Sequence, residues 1–344
     1  MLFKSQLKQT NSNLQLKYID LFCGIGGFRI ALESVCSQYR LKDKKIESIC
    51  VFSSDIDPDA KKNYEANFKE KPQGDITKIP IESIPKHDLL LAGFPCQPFS
   101  ICGKLEGFED TRGTLFFEIA RILDYHKPYA FILENVKQLV GHNKGKTLKT
   151  ILKILSDLGY YTDYKVLNAL NFGLPQKRER VFIVGFRDPL AFIWKQPNIL
   201  MKPLSEIIEK SVSEFYYASE QIQRNRLAKY QGNHQHKITI WHENKAGHIS
   251  AYPYSCAMRA GASYNYLLVN GKRRLTEREM LRLQGFPDWF QLIGSYSSAR
   301  KLVGNSVAVP CVVSIINSIF DAVDKNKFKV DQRKEQFIQT TLFD

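Results

Sequence analysis

Residues 89–92, Leu-Leu-Leu-Ala, are apolar without interruption, and Gly93 and Pro95 end the run at once. A strand that is apolar on both faces needs cover on both, as a parallel strand inside an α/β sheet has. Sheets of this kind bind ligands beyond the carboxyl ends of their strands. Cys96 follows at that end, in a turn stiffened by Pro95 and Pro98. A free cysteine is more often a small buried hydrophobe than a nucleophile, so the role of Cys96 depends on what the other strand ends carry.

The same plan recurs along the chain. Tyr18–Phe22 reads as a strand, Cys23-Gly24-Ile25-Gly26-Gly27 as a glycine turn and Phe28 to about Tyr39 as a helix. Gly24 and Gly26 let a ligand approach the backbone closely. A dinucleotide fingerprint would place its third glycine where this chain has Arg29, which points to a smaller adenosine-containing cofactor with no pyrophosphate. Ile49–Ser53 is a second strand, ending at Asp55 in reach of a ribose, and Asp57-Pro58 starts a helix through Phe68. Asp75, in Gly74-Asp75-Ile76, is placed to accept from an adenine amino group. Either acid alone would read as a helix cap or turn residue; their order, one per strand end, is the signal.

Ser100 to Arg112, with Gly103 and Gly107, has the composition of a lid. Tyr129–Leu133 leads into Glu134-Asn135-Val136, which puts a carboxylate across the sheet edge from Cys96. Desolvation there would raise its pKa toward neutrality, as a general acid requires. Arg178 and Arg180, two apart before the strand Val181–Phe186, point the same way and can grip a phosphate or a carbonyl. Further helices are expected over 145–158 and 273–286, the latter with Thr276 as N-cap, Glu279 three residues on and Gly285 as terminator. Gly304-Asn305-Ser306 is expected to cap a last helix from Val307 to about Val323.

Charge sets the partner. Lys and Arg number 49 against 35 Asp and Glu, and between Gln221 and Arg274 nine basic residues face Glu243 alone. Six aromatics, among them Trp241, Tyr264 and Tyr266, interleave with them, the makeup of a nucleic-acid surface. Arg224, Arg226 and Arg259 are the candidate readers. Seven cysteines without a Cys-x-x-Cys pair fit reduced thiols in a cytoplasmic protein, with no metal site. Residues 1–17 lack the apolar core of a signal peptide, and no run approaches the ~18 apolar residues that span a bilayer, so no membrane association is expected.

In order, these blocks resemble the cytosine carbon-5 DNA methyltransferases of bacterial restriction-modification systems. Asp20–Phe28 is similar to the family's cofactor motif, Gly93–Gln97 to its nucleophile motif, Glu134–Val136 to its acid motif and Gln176–Arg180 to its arginine motif. Arg274 through Pro287 and Gly304–Ser306 match its last two blocks. The resemblance implies an S-adenosylmethionine-dependent methyltransferase fold, a doubly wound, largely parallel sheet. It implies a catalytic and cofactor-binding domain at 1–188, a smaller target-recognition domain at 189–272, a returning C-terminal segment at 273–326 and a tail at 327–344.

By the same resemblance, S-adenosyl-L-methionine would meet Phe22, Gly24, Gly26, Asp55, Ile56, Asp75, Ile76, Pro95, Asn305 and Ser306. Cys96 would attack carbon 6 of a flipped cytosine and Glu134 would protonate N3. The Phe94 carbonyl would accept from the amine, Arg180 would hold the base carbonyl, and Arg178 or Arg180 would assist the thiolate. Gln97, Ser100 and Cys102 would face double-stranded DNA; Cys102 stands where relatives often carry serine. The enzyme is expected to be a monomer with a cognate restriction endonuclease as functional partner. A tRNA cytosine methyltransferase is the nearest alternative, but its Cys-Phe-Thr block is missing between Pro189 and Gly271. A catalytically silent DNA-binding protein would not need Cys96, Glu134 and Arg180 together.

Overall fold

The computed structural model describes residues 8–9, 13–41, 44–95, 115–230, 232 and 236–324. Cys96, Gln97, Ser100, Cys102, the candidate lid and the tail at 327–344 lie outside the described residues.

The first half alternates strand and helix: β1 (Lys8–Gln9), β2 (Asn13–Leu21), α1 (Gly27–Gln38), β3 (Arg40–Leu41), β4 (Lys44–Ser54), α2 (Pro58–Phe68), β5 (Leu89–Gly93), α3 (Leu115–His126) and β6 (Ala130–Val136). Then come the short α4 (Gln138–Gly141), α5 (Lys146–Asp157), β7 (Tyr161–Asn168), β8 (Gln176–Lys177) and β9 (Glu179–Phe186). The central sheet runs β3-β4-β2-β5-β6-β9-β7, with β1 on the end of β2. β4, β2, β5 and β6 are mutually parallel, and β9 runs antiparallel to both β6 and β7.

The central strands β2, β5, β6 and β9 split their apolar residues between two cores, as the period of two demands. Tyr18, Leu89, Leu91, Ala130 and Ile132 face one core, shared with α1. Ile19, Leu21, Leu90, Ala92, Phe131 and Leu133 face the other, with α3 and α5. The uninterrupted apolar run at 89–92 therefore reflects helices on both sides of the sheet.

Topology places the site. After β2 the chain adds β4 on one side, then returns to add β5 on the other. The direction of winding reverses between β2 and β5, and the loops beyond their carboxyl ends splay apart into a crevice.

The second half is smaller in its elements: α6 (Glu220–Lys229), β10 (Ile240–Glu243), β11 (Ile249–Tyr252), β12 (Ser255–Cys256), β13 (Leu267–Val269), α7 (Glu277–Gln284), α8 (Tyr296–Asn305) and α9 (Val309–Asp324). β11-β10-β13 form a separate antiparallel sheet, and β12 pairs with β8 at the foot of β9. α9 packs back against α1, where Tyr39 donates to Asp321 at 2.9 Å and meets Phe320 edge-on.

Two expectations change here. Gly304 and Asn305 do not cap the last helix; they form the final turn of α8, which closes on Ser306 before α9 starts. A stretch does reach membrane-crossing length and hydropathy, Tyr296–Asp324, but 72% of its apolar window is buried inside the protein. It is a core element.

Candidate active site

A cavity of about 610 Å³ opens at the switch point, within the range of small-molecule sites. At one end lies the turn after β2. Phe22 and Gly24 take positive φ of 54° and 53°, and among the described residues, chain neighbours aside, no atom comes within 4 Å of where a Gly24 Cβ would stand, so the turn is open toward the cavity. Gly26, at φ 82°, lies behind that wall: a Cβ there would meet the Phe68 ring at 2.3 Å. Arg29, in place of a third glycine, is buried, bonds Glu33 at 2.7 Å and Glu70 at 2.6 Å, and lies over Phe68 at 4.4 Å. It ties α1 to the end of α2, a structural use of the position.

Beyond β4, Asp55 accepts from the Gly24 N–H and the Asp57 N–H, each at 2.8 Å. Burial nonetheless pushes its carboxyl above the usual carboxylate range. Each oxygen keeps a lone pair for a second donor. Ile56 beside it is 74% exposed and lines the cavity, as an apolar face for a flat ring would. Asp75 caps a short 3-10 turn, accepting from the Thr77 N–H and hydroxyl through one oxygen. The opposite rim is α8, whose Lys301 meets Asp57 at 2.6 Å and whose Asn305 also lines the cavity. An open glycine turn, an acid with spare lone pairs, an exposed aliphatic and a second acid fit an adenosine-bearing donor without pyrophosphate. Ser306 lies behind the wall, its hydroxyl 2.9 Å from the point a Gly27 Cβ would occupy.

At the other end, Gly93 pairs with Glu134 across β5 and β6. Glu134 is 8% exposed. Burial raises its pKa, against the pull of Arg180 and Arg178. Arg180 Nε lies 3.0 Å from its carboxylate. Asn135 donates to the Phe94 carbonyl at 2.9 Å while accepting from the Val136 N–H. It thereby fixes the direction of the carbonyl that precedes Pro95, a role not expected from the sequence although Asn135 lies within the acid motif.

Arg178 also lines the cavity, but its guanidinium is fully buried and donates to the carbonyls of Met258, Gly304 and Ser306. Burial and Arg180 bring its pKa down to about 9, so it stays charged at neutral pH. Phe22, Gly24, Asp55, Ile56, Asp75, Ile76, Pro95, Glu134, Arg178, Arg180 and Asn305 thus surround one cavity.

The basic segment divides. Arg224 is exposed and meets Glu220, one helical turn away, at 3.4 Å. Arg259 is exposed and lies 5.1 Å over Tyr266. Arg226 does not present its charge as expected: it is 3% exposed, meets Glu243 at 2.9 Å and donates to the Asn265 carbonyl. Trp241 and Tyr266 are likewise buried, so part of the aromatic interleaving is this sheet's own core. That assignment was beyond composition, because a buried Arg and a presented one look alike in sequence.

Comparison with known proteins gives a consistent family. A family model, "C-5 cytosine-specific DNA methylase", matches residues 16–321. The chain is 54% identical over 298 residues to the type II methyltransferase M.NgoBI of Neisseria gonorrhoeae, covering 86% of this chain and 90% of that protein. It is 50% identical over 332 residues to M.HaeII of Haemophilus aegyptius, covering 96% and 99%. Among solved structures, Entamoeba histolytica methyltransferase EhMeth superimposes with a TM-score of 0.68 at 20% identity, covering 90% of this chain and 99% of that one. The S. pombe Dnmt2 methyltransferase gives 0.65 at 21%, covering 89% and 98%. These last two likenesses show a shared fold.

Proposed function

This chain belongs to the C-5 cytosine-specific DNA methylase family, and from that premise we propose that it methylates carbon 5 of a cytosine flipped out of a specific duplex sequence. The observation that carries the reading is the Glu134–Arg180 pair at 3.0 Å, sharing one cavity with the glycine turn, Asp55 and Ile56. The family model's description as a cytosine-specific DNA methylase, with relatives of about half identity named as type II methyltransferases, favours DNA over tRNA.

S-adenosylmethionine, when bound, supplies an electrophilic sulfonium methyl. Asp55 and Asp75 would accept from its ribose and adenine, and Ile56 would cover its ring. Carbon 5 of cytosine is too weak a nucleophile to take that methyl unaided. The Cys96 thiolate would add to carbon 6 while Glu134 gives its proton to N3, so the electron pair pushed into the ring arrives at carbon 5 as an enamine. After carbon 5 takes the methyl, its proton passes to water, the Cys96 sulfur is expelled as thiolate, and N3 returns its proton to the Glu134 carboxylate, restoring both the ring and the acid.

Arg180, beside Glu134, would hold the base carbonyl, and the Phe94 carbonyl would accept from the amine. Arg178 would serve chiefly as a strut, its charge adding to the field that favours thiolate and oxyanion. Extruding the base costs a few kcal/mol, and Gln97, Ser100 and Cys102 would meet the vacated duplex. Arg224 and Arg259 would contact DNA from residues 189–272, the recognition unit. We read the enzyme as a cytoplasmic monomer, paired functionally with a restriction endonuclease.

Bisulfite sequencing of DNA from cells expressing the protein should show complete conversion-resistant cytosines within one short sequence, and DNA from cells expressing Cys96→Ser should show none. A duplex with 5-fluorocytosine at the target should become covalently joined to the parent protein through Cys96. Binding of duplex and donor without any such conjugate would overturn the mechanism.

A further inference from the structure

One face of α8 borders the cavity through Lys301, Gly304 and Asn305. Another carries Arg300, which is 7% exposed. The Arg300 guanidinium donates to the carbonyls of Ala262 and Ser263, both at 2.8 Å. It also lies 4.5 Å over the Tyr264 ring and 5.9 Å over Tyr296. The partners on the loop are main-chain oxygens and one ring, so the contact fixes the shape of the loop 259–264 whatever its small side chains are. The same loop is pressed against the cavity wall: a Cβ on Gly304 would stand 2.8 Å from the Ala260 nitrogen and 3.1 Å from the Arg259 carbonyl carbon. Arg178 closes the joint by donating to Met258 and to Gly304 with one guanidinium.

Arg259, Gly261, Ser263 and Tyr264 remain exposed. Because the loop abuts the cavity wall at Gly304, a duplex delivering a base into the cavity would pass near it, and its small residues allow close approach while its arginine can read a groove edge.

We propose that Arg300 is a specificity-determining positioning residue, which sets the shape of the loop 259–264 against the cavity wall and so decides which duplex sequences are methylated, touching neither base nor donor. The proposal rests on the DNA methyltransferase reading above.

The test uses the full-length protein and plasmid DNA, with bisulfite sequencing read as the ratio of methylation at the preferred sequence to that at sequences differing by one base pair. Arg300→Met keeps the apolar stem and removes both hydrogen bonds and the cation; the ratio should fall about tenfold, the order of one base pair's discrimination. Binding of S-adenosylhomocysteine should stay within twofold of the parent. Both carbonyls are held by Nη2 alone, so Arg300→Lys, which keeps a cation but on a shorter stem that stops short of the Nη2 position, should show an intermediate loss. Tyr264→Leu, at an exposed position, should lower the ratio in the same direction should the arginine variants fail to fold. An unchanged ratio in the folded variants, whether or not the total rate drops, overturns the proposal. A parent protein that methylates no cytosine would instead overturn the functional reading itself.

Discussion

Glu134 shows what a single residue inherits from its place. Its carboxyl sits at the end of β6, buried, with Arg180 3.0 Å away. Burial favours the neutral acid and the arginines the anion; burial wins and the pKa rises. The protonated form is lost as pH climbs through that raised value, so methyl transfer should carry an alkaline limb due to Glu134. Glu134→Gln should lower the single-turnover rate by about 10²–10⁴, the usual worth of a positioned proton donor, and remove that limb; a limb that persists would assign it to another group. The acid and its strand were legible in sequence, because an apolar run ending in Glu is a pattern of two elements only. That Arg226 would be buried on Glu243 while Arg259 stays outside was not legible, since both are arginines in one basic segment and only the surrounding sheet separates them.

Among elements, α7 was the most readable. Thr276 accepts from the Glu279 N–H at 3.1 Å, Glu279 accepts in return from the Thr276 N–H at 2.9 Å, and Gly285 ends the helix at φ 81°. A capping box is written in residues three apart, and no long-range information is needed to see it. What sequence did not reveal is that Glu279 is wholly buried and holds Arg273 at 2.7 and 2.9 Å. Glu279→Ala should therefore cost about 3–5 kcal/mol, far above the worth of a cap, because it strands a buried guanidinium; denaturant unfolding measures it. A loss near 1 kcal/mol would mean that water reaches Arg273. β7 and α8 escaped the sequence reading for a related reason. β7 is a half-buried edge strand, Tyr-Thr-Asp-Tyr-Lys-Val-Leu-Asn, with no apolar run to mark it. α8 runs into Gly304-Asn305, residues that locally signal an end, and it persists because the loop 259–260 and Arg178 pack on that last turn.

At the scale of the whole molecule, stability should depend on pH through a group far from the chemistry. His87 is buried, accepted at Nδ1–H by the Pro85 carbonyl at 2.9 Å, and its pKa is lowered by burial to about 4. The folded protein keeps it neutral while the unfolded chain takes up a proton below about 6.5. Its contribution is present above pH 6.5 and is lost as pH falls toward 4. His87→Leu should show a smaller drop in Tm between pH 7 and 5 than the parent, measured by calorimetry; equal drops would mean that the imidazole is hydrated. Taken by itself, the sequence determined the α/β class, the order of its motif blocks and which residue types stand at each strand end, since apolar runs, glycine turns and caps are local signals that neighbouring residues complete. The tertiary structure decided the rest: the reversal of winding between β2 and β5 that makes a crevice of two separate turns, the burial that raises Glu134, and the docking of the loop 259–264 on α8. Each depends on contacts between segments tens to hundreds of residues apart, where desolvation and packing, rather than residue type, set what a side chain can do.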